Sequence, residues 1–176
     1  MIETVEALRL NLGARDTIIH GYKNLDCDAH PGVDYVGNIE DLSQFASASV
    51  ESIYASHCLE HISHTRTLAA LVEWARVLRP GGILYVAVPD FKRMAELYLT
   101  SGLSDWLVNF IHGDHGYATA FHYAAFDFKR LHSLLLSAGF SEASQVDRFG
   151  LSDTDCSNLK SNLDWKSVSL NAVAIR

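Results

Sequence analysis

The chain has 176 residues, 48% of them apolar, which is enough hydrophobic mass for one domain with a real core. Its 14 basic and 21 acidic residues give a net charge of −7, which argues against a nucleic-acid or anionic-membrane partner, because no general positive field draws phosphate in. Cys27, Cys58 and Cys156 are too few and too widely spaced for a disulfide framework or a zinc knuckle. No secretory leader or membrane-spanning run stands out, so the expected setting is cytoplasmic.

Met1–Ala7 reads as a turn or strand lead-in. Leu8, Leu10 and Leu12 alternate with polar residues and run into Gly13, the pattern of a short buried strand ending in a tight turn. A second short strand around Tyr22–Leu25 ends on Asp26. Twelve residues separate Gly13 from Asp26, and Ala14–Gly21 holds at most a turn or two. The crossover helix of a usual parallel unit is therefore shortened or absent. Cys27–Gly32, with Asp28, Pro31 and Gly32, is a turn, and Val33–Val36 is a third strand stopped by Gly37-Asn38. Glu40–Phe45 reads as a helical turn. Val50–Ala55 alternates and then becomes fully apolar, as suits a central parallel strand, and Ser56-His57 ends it.

Thr67–Leu78 predicts a helix with Leu68, Leu71, Val72, Ala75 and Leu78 on one stripe. Pro80-Gly81-Gly82 stops it and turns the chain into Ile83–Val88, a buried strand ending at Pro89-Asp90. Met94, Leu97 and Tyr98 suggest a helix that Gly102 breaks and Trp106–Ile111 resumes. Gly113–Ala120 reads as a loop or lid. Phe128–Leu136 is helical with Gly139 as its left-handed cap, and Phe140–Gln145 starts another strand. Gly150–Trp165, with Asp153, Asp155, Asn158, Asn162 and Asp164, looks like a surface excursion. Ser167–Ile175 is a closing strand, antiparallel to the one before it. No internal repeat or second domain is visible, so residues 1–176 are expected to form one domain, with a lid at about 91–123.

A strand and glycine turn followed by a strand-terminal acid is how an α/β nucleotide site is built. The turn amides face the ligand and the acid takes the ribose hydroxyls. Gly13 as a plain turn glycine is the competing reading. His57, His61 and His64 with Glu60 loosely resemble a zinc site. Cys58, however, follows the first histidine where the metalloprotease spacing needs glutamate, so no metal is expected.

The ordered pieces Leu10-Asn11-Leu12-Gly13, Asn24-Leu25-Asp26-Cys27-Asp28, Ser56-His57-Cys58-Leu59-Glu60-His61 and Val77-Leu78-Arg79-Pro80-Gly81-Gly82-Ile83-Leu84 carry a family resemblance. Phe126-Asp127, Leu131, Leu134-Leu135 and Ala138-Gly139-Phe140 continue it. Over about residues 8 to 175 the chain resembles a class I S-adenosylmethionine-dependent methyltransferase of the small, shortened bacterial kind. The resemblance implies an α/β, Rossmann-like methyltransferase sandwich, a mostly parallel sheet with a final antiparallel strand. It implies S-adenosylmethionine as cofactor, held around Asn11, Gly13, Arg15, Asp26, Asn38, Ile39, Ser56 and His57. Asp26 would take the ribose hydroxyls. The backbone at Ser56-His57 would pass the methionyl part, and Glu60-His61 would line the pocket. Three positions depart from the family pattern. Arg15 stands where a second glycine is usual, Asn11 replaces the acid of the first strand, and Asn38 replaces the acid that contacts adenine. Arg15 either pairs with the methionine carboxylate or fills the space the cofactor needs.

His115, His122 and Tyr123 fall near the expected lid, where an acceptor would bind. A histidine there suits a general base, as against a packing or capping role. Asp90, at a strand end, is a third acceptor-side candidate. The aromatics of Asp105–Tyr123, including Trp106, Phe110, Tyr117 and Phe121, either close over the ligand or pack as core or as a homodimer seam. The expected activity is methyl transfer to an oxygen or nitrogen of a small molecule. Two rivals are a methyltransferase-like accessory protein without catalysis, and a nucleotide-binding enzyme of other chemistry on the same fold.

Overall fold

The computed structural model describes residues 7–116, 120–152, 155, 157, 159–164 and 166–176. Tyr117, Asp153, Cys156, Asn158 and Trp165, named above, lie outside the described residues. The strands are β1 (Leu8–Leu12), β2 (Lys23–Asp26), β3 (Tyr35–Val36), β4 (Val50–Ser56), β5 (Leu78–Pro89), β6 (Glu142–Val146) and β7 (Ser169–Ile175). They form one seven-stranded sheet in the order β3-β2-β1-β4-β5-β7-β6. Neighbours among β1 to β5 pair parallel, and β7 lies antiparallel between β5 and β6. The helices are α1 (Thr67–Val77), α2 (Phe91–Ser101), α3 (Asp105–His112) and α4 (Phe128–Ser137). None is long and apolar enough to cross a membrane.

The two faces of the sheet differ, and the register shows why. Leu25, Leu12, Ala55, Val86 and Ala172 align in one row, and Leu10, Ile53, Leu84 and Ala174 in the next. All are fully buried and share the main core with Leu71 and Trp74 of α1 and Leu131 and Leu135 of α4. The alternate residues, which point the other way, are Asn24, Asn11, Tyr54 and Tyr85. Loop residues cover this second face. Ser52 Oγ donates to the Tyr22 hydroxyl at 3.0 Å, and the Phe149 ring meets Tyr54 and Tyr85 edge-on. Asn171 of β7 donates to the carbonyls of Asp147 and Ser157, both at 2.7 Å, and so pins the segment that carries Phe149.

Four expectations need correction. The buried stripe of α1 is Thr67, Ala70, Leu71, Trp74, Ala75 and Val77, whereas Leu68 and Val72 are exposed. Trp74 sets the rotation, because its large ring is fully buried and its Nε1 donates to the Ile39 carbonyl at 2.7 Å. Pro80-Gly81-Gly82 does not precede β5 but sits inside it. Pairing already begins at Leu78 opposite Val50, and the register shifts before Ile83 meets Ser52. A Cβ at Gly82 would lie 2.8 Å from the Arg79 carbonyl oxygen and 3.1 Å from that of Glu51, so the bulge needs glycine. Glu40–Phe45 forms turns, not a helix, and side chains of α1 satisfy its backbone. Glu73 accepts from Leu42 N, and Arg76 donates to the carbonyls of Leu42 and Phe45. The segment after Gly150 is also no simple surface excursion, since Asp155, Ser157 and Ser161 are buried and the Ser157 carbonyl accepts from Asn171 of the second face.

No helix forms between β1 and β2, as the short spacing predicts. The 91–112 stretch forms two helices. Leu107 of α3 is fully buried with Met94 and Leu97 of α2 and with Val168, in a second, smaller core that Trp106 and Phe110 flank. These aromatics pack as a framework, at least over α3. Gly113 opens the segment read as a loop or lid. The Ala120 carbonyl crowds it so closely that no side chain fits there.

Candidate functional site

The carboxyl ends of β1, β2 and β4 meet at one edge of the sheet. Gly13 leaves β1 at φ +63°, and a Cβ there would lie 2.7 Å from Cys58 Cβ. Its glycine is thus required by the chain that follows β4, and the two strand-end loops touch at that point. Gly13 N and Ala14 N both donate to the Leu25 carbonyl, at 2.9 and 3.3 Å. Asn11, fully buried, donates to the Thr17 carbonyl at 2.7 Å and to Asn24 Oδ1 at 3.0 Å. Asn11 therefore braces the helix-free loop, a job for amide donors that a carboxylate could not do.

Arg15 adopts φ 42° and turns its backbone N–H onto Asp26 Oδ2 at 2.9 Å. Asp26 Oδ1 accepts from Asp28 N at 3.2 Å and lies 3.4 Å from Cys27 Sγ. Burial works against ionisation of Asp26, but the Arg15 and Asp28 amides outweigh it and hold the carboxyl below its usual range. A carboxylate offers about four acceptor positions; Oδ1 already takes the Asp28 amide and the Cys27 thiol, whereas Oδ2 takes the Arg15 amide alone and keeps an open position for a hydroxyl. Asn38 Oδ1 accepts from Glu40 N at 2.9 Å, and the Ile39 carbonyl takes Trp74. Both residues sit on the turn beyond β3, beside the end of β2.

The segment after β4 brings together groups that the sequence treats separately. His57 sits at φ 51°, and its Nε2 lies 2.8 Å from Ser169 Oγ of β7. The side-chain Oγ of Ser56 is buried without a hydrogen-bond partner among the described residues. A single 3-10 turn, Leu59–His61, places Glu60 at 1% exposure. Neither Glu60 oxygen accepts a hydrogen bond from any described residue. Its neighbours are imidazoles, with His57 Nδ1 at 3.4 Å and His122 Nε2 at 4.0 Å from Oε1, and His61 beside them. Burial opposes the charge on Glu60, but these rings, His57 foremost, hold its carboxyl below the usual range. Burial pushes the His122 ring down, against the pull of Glu60. Burial also raises the Cys58 thiol well above its ordinary value, which leaves it a packing group.

Of the three acid–base candidates named from sequence, His122 joins this cluster. His115 is exposed, with Nε2 3.0 Å from the His112 carbonyl and its ring stacked on Phe121. Asp90 caps α2 by accepting from Lys92 N at 3.0 Å, and burial raises its carboxyl. His64 is exposed and lines a cleft of about 430 Å³ with Tyr123 and Arg130, apart from Glu60. Sequence reading took Glu60 as a generic pocket-lining residue and missed its burial. The one signal was a glutamate set between an apolar residue and a histidine directly after a buried strand.

A family model described as a methyltransferase domain matches residues 19–86, less than half of the chain. No curated protein matches it. Among solved structures, the chain resembles the Burkholderia thailandensis 1,6-didemethyltoxoflavin-N1-methyltransferase with bound S-adenosylhomocysteine (16% identity, TM-score 0.61), covering 97% of this chain and 71% of that one. It also resembles an Archaeoglobus fulgidus SAM-dependent methyltransferase (12% identity, TM-score 0.60; 97% and 86% covered). A third is the CurJ carbon methyltransferase (18% identity, TM-score 0.57; 97% and 48% covered). At such identities the likeness is one of fold, and that fold is the Rossmann-like one of class I S-adenosylmethionine-dependent methyltransferases.

Proposed function

We propose that the chain is an S-adenosylmethionine-dependent methyltransferase acting on an oxygen or nitrogen of a small molecule. The observation that carries the reading is Asp26, a buried carboxylate held below its usual range at the end of β2 beside the Gly13 loop, with an acceptor position open on Oδ2 and only the weak Cys27 thiol to displace on Oδ1. It suits two vicinal ribose hydroxyls. Asn38 and Ile39 lie where the adenine would rest, and Ser56 and His57 where the methionyl chain would pass. When bound, the cofactor would supply a methyl group activated by its positive sulfur and leave as the neutral thioether once the acceptor has taken the methyl. The chain's own task is alignment and exclusion of water. His57, Glu60, His61 and His122 lie on the acceptor side, beyond the end of β4. An acceptor that loses a proton from O–H or N–H would meet basic groups there. The cytoplasmic setting and the absence of a nucleic-acid partner belong to the same proposal and rest on composition and charge.

Calorimetry with S-adenosylmethionine tests it. Native protein should bind, and Asp26→Ala should lose about 1–3 kcal/mol of binding, the order of a charge-assisted hydrogen-bond set. Equal affinity for both proteins would overturn the assignment of Asp26. No binding by the native protein would leave the accessory reading standing.

A further inference from the structure

We propose that Glu60, His61 and His122 form a binding site for a divalent first-row transition-metal ion. One ligand atom from each of the three lies within 4.8 Å of the others. The inference does not depend on the methyl-transfer reading.

Three observations converge on it. The first is the buried carboxylate. Glu60 is 1% exposed, and neither oxygen has a described donor in good hydrogen-bond geometry, the nearest being His57 Nδ1 at 3.4 Å from Oε1. A buried carboxylate with a single long imidazole contact is costly, and a cation beside it offsets that cost.

The second is the orientation of the rings. His61 Nδ1 lies 3.0 Å from the Phe121 carbonyl, and His122 Nδ1 lies 3.1 Å from the Phe110 carbonyl. A carbonyl only accepts, so each neutral ring carries its proton on Nδ1 and keeps a bare lone pair on Nε2. That is how metal-ligating histidines are usually held. Two lone pairs and a carboxylate facing one point repel each other until a cation sits between them.

The third is geometry. The two rings stand 4.9 Å apart between centroids, at 72° to each other. Imidazoles sharing a tetrahedral ion at a metal–nitrogen distance of about 2.0–2.1 Å have centroids about 5 Å apart.

The site is built on ordered backbone. Tyr123 N and Ala124 N both donate to the Glu60 carbonyl, at 2.8 and 3.2 Å, which clamps the segment carrying His122 to the 3-10 turn. His122 N donates to the His112 carbonyl at 2.9 Å, tying both to α3. His57, with Nε2 2.8 Å from Ser169 Oγ, brings Nδ1 to 3.4 Å from Glu60 Oε1 and orients the carboxylate. Two histidines and one carboxylate leave a fourth position open, the ligand set of a site that binds a further oxygen or nitrogen donor.

Zinc is the probe for the test. Chelator-treated protein is titrated with zinc by calorimetry, and the cobalt-loaded protein is read by visible absorption. One zinc per chain is expected, with the intense visible bands of four-coordinate cobalt. Glu60→Gln, His61→Ala and His122→Ala should each weaken zinc binding about 100-fold or more, and His57→Ala about 10- to 100-fold. His64→Ala, at an exposed histidine outside the cluster, should leave it unchanged. Circular dichroism accompanies each variant, and His61→Asn and His122→Gln replace any that does not fold. The proposal is overturned if zinc binds no tighter than to the His61→Ala/His122→Ala double variant. Affinity that falls equally with His64→Ala, or cobalt that shows the weak bands of a six-coordinate ion, would overturn it as well.

Discussion

Replacing Gly13 by alanine should be among the most costly single changes in the protein. Two independent terms add. The residue sits at φ +63°, where an L side chain costs about 1–2 kcal/mol. The new methyl would also lie 2.7 Å from Cys58 Cβ, inside any real contact distance. Overpacking at a buried point of this kind costs about 1–3 kcal/mol. The sum, roughly 2–5 kcal/mol, is a large share of the 5–15 kcal/mol that holds a typical domain together. Urea unfolding followed by tryptophan fluorescence reads it as a fall in midpoint at constant slope, with fully buried Trp74 among the reporters. A double-mutant cycle separates the terms. Cys58→Ala keeps the offending Cβ and should give no relief, whereas Cys58→Gly removes it and should recover the contact part, a coupling of about 1–3 kcal/mol. A loss below about 1 kcal/mol for Gly13→Ala would refute the reasoning, as would equal relief from Cys58→Ala and Cys58→Gly.

Asp26 has a depressed pKa in the fold, so its contribution to stability is present above the unfolded value of about 3.9 and lost as pH falls through the lower folded value. The stability gap between native protein and Asp26→Asn should therefore be flat from about pH 7 to 5 and close in more acid solution; a gap that widens in acid contradicts the hydrogen bonds from Arg15 and Asp28. Trp74→Phe keeps most of the apolar burial but strands the Ile39 carbonyl, and should cost about 1–3 kcal/mol by thermal or urea unfolding. Trp74→Ala should cost about 3–5 kcal/mol.

The sheet was legible because its strands advertise themselves. Leu8-Leu10-Leu12 alternate, Val50–Ala55 turn apolar, and Ile83–Val88 form a buried run, and each became a strand in the expected place. The missing first crossover was legible from spacing alone. The face of α1 was not, because apolar periodicity ranks Leu68 with Trp74, while the ring with more area and a hydrogen bond to make decides the rotation. At the site, Asp26 could be placed because a strand-terminal acid is a local pattern. Glu60 and His122 are sixty-two positions apart in the numbering, and they meet because residues 122–124 dock on the 3-10 turn through backbone bonds that no side-chain pattern encodes. His115 and Asp90 looked alike to His122 in sequence. Exposure and a helix cap, respectively, set them apart.

The unequal covering of the two sheet faces has a consequence for how the molecule breathes. The β4–α1–β5 half is locked by aliphatic contacts, with Val77 passing into Leu78 without a loop. The β1–β2–β3 half has no crossover helix after β1. Beside its own buried Leu10, Leu12 and Leu25, it relies on amide bridges: Asn11 to Thr17 and Asn24, Asp34 to the Asn24 N–H, and Asn24 to the Gly32 carbonyl. Bonds of that kind exchange readily for bonds to water, whereas buried leucines do not. The two halves therefore form cooperative units of different local stability, and amide protons on β2 should exchange through partial openings that leave β4 and β5 protected. A molecule that binds across the ends of β1 and β2 spans the weaker unit. Its binding energy is then partly spent on closing that unit, and its main thermodynamic mark should be slower exchange at Asn24 and Leu25, not a change at the centre of the sheet.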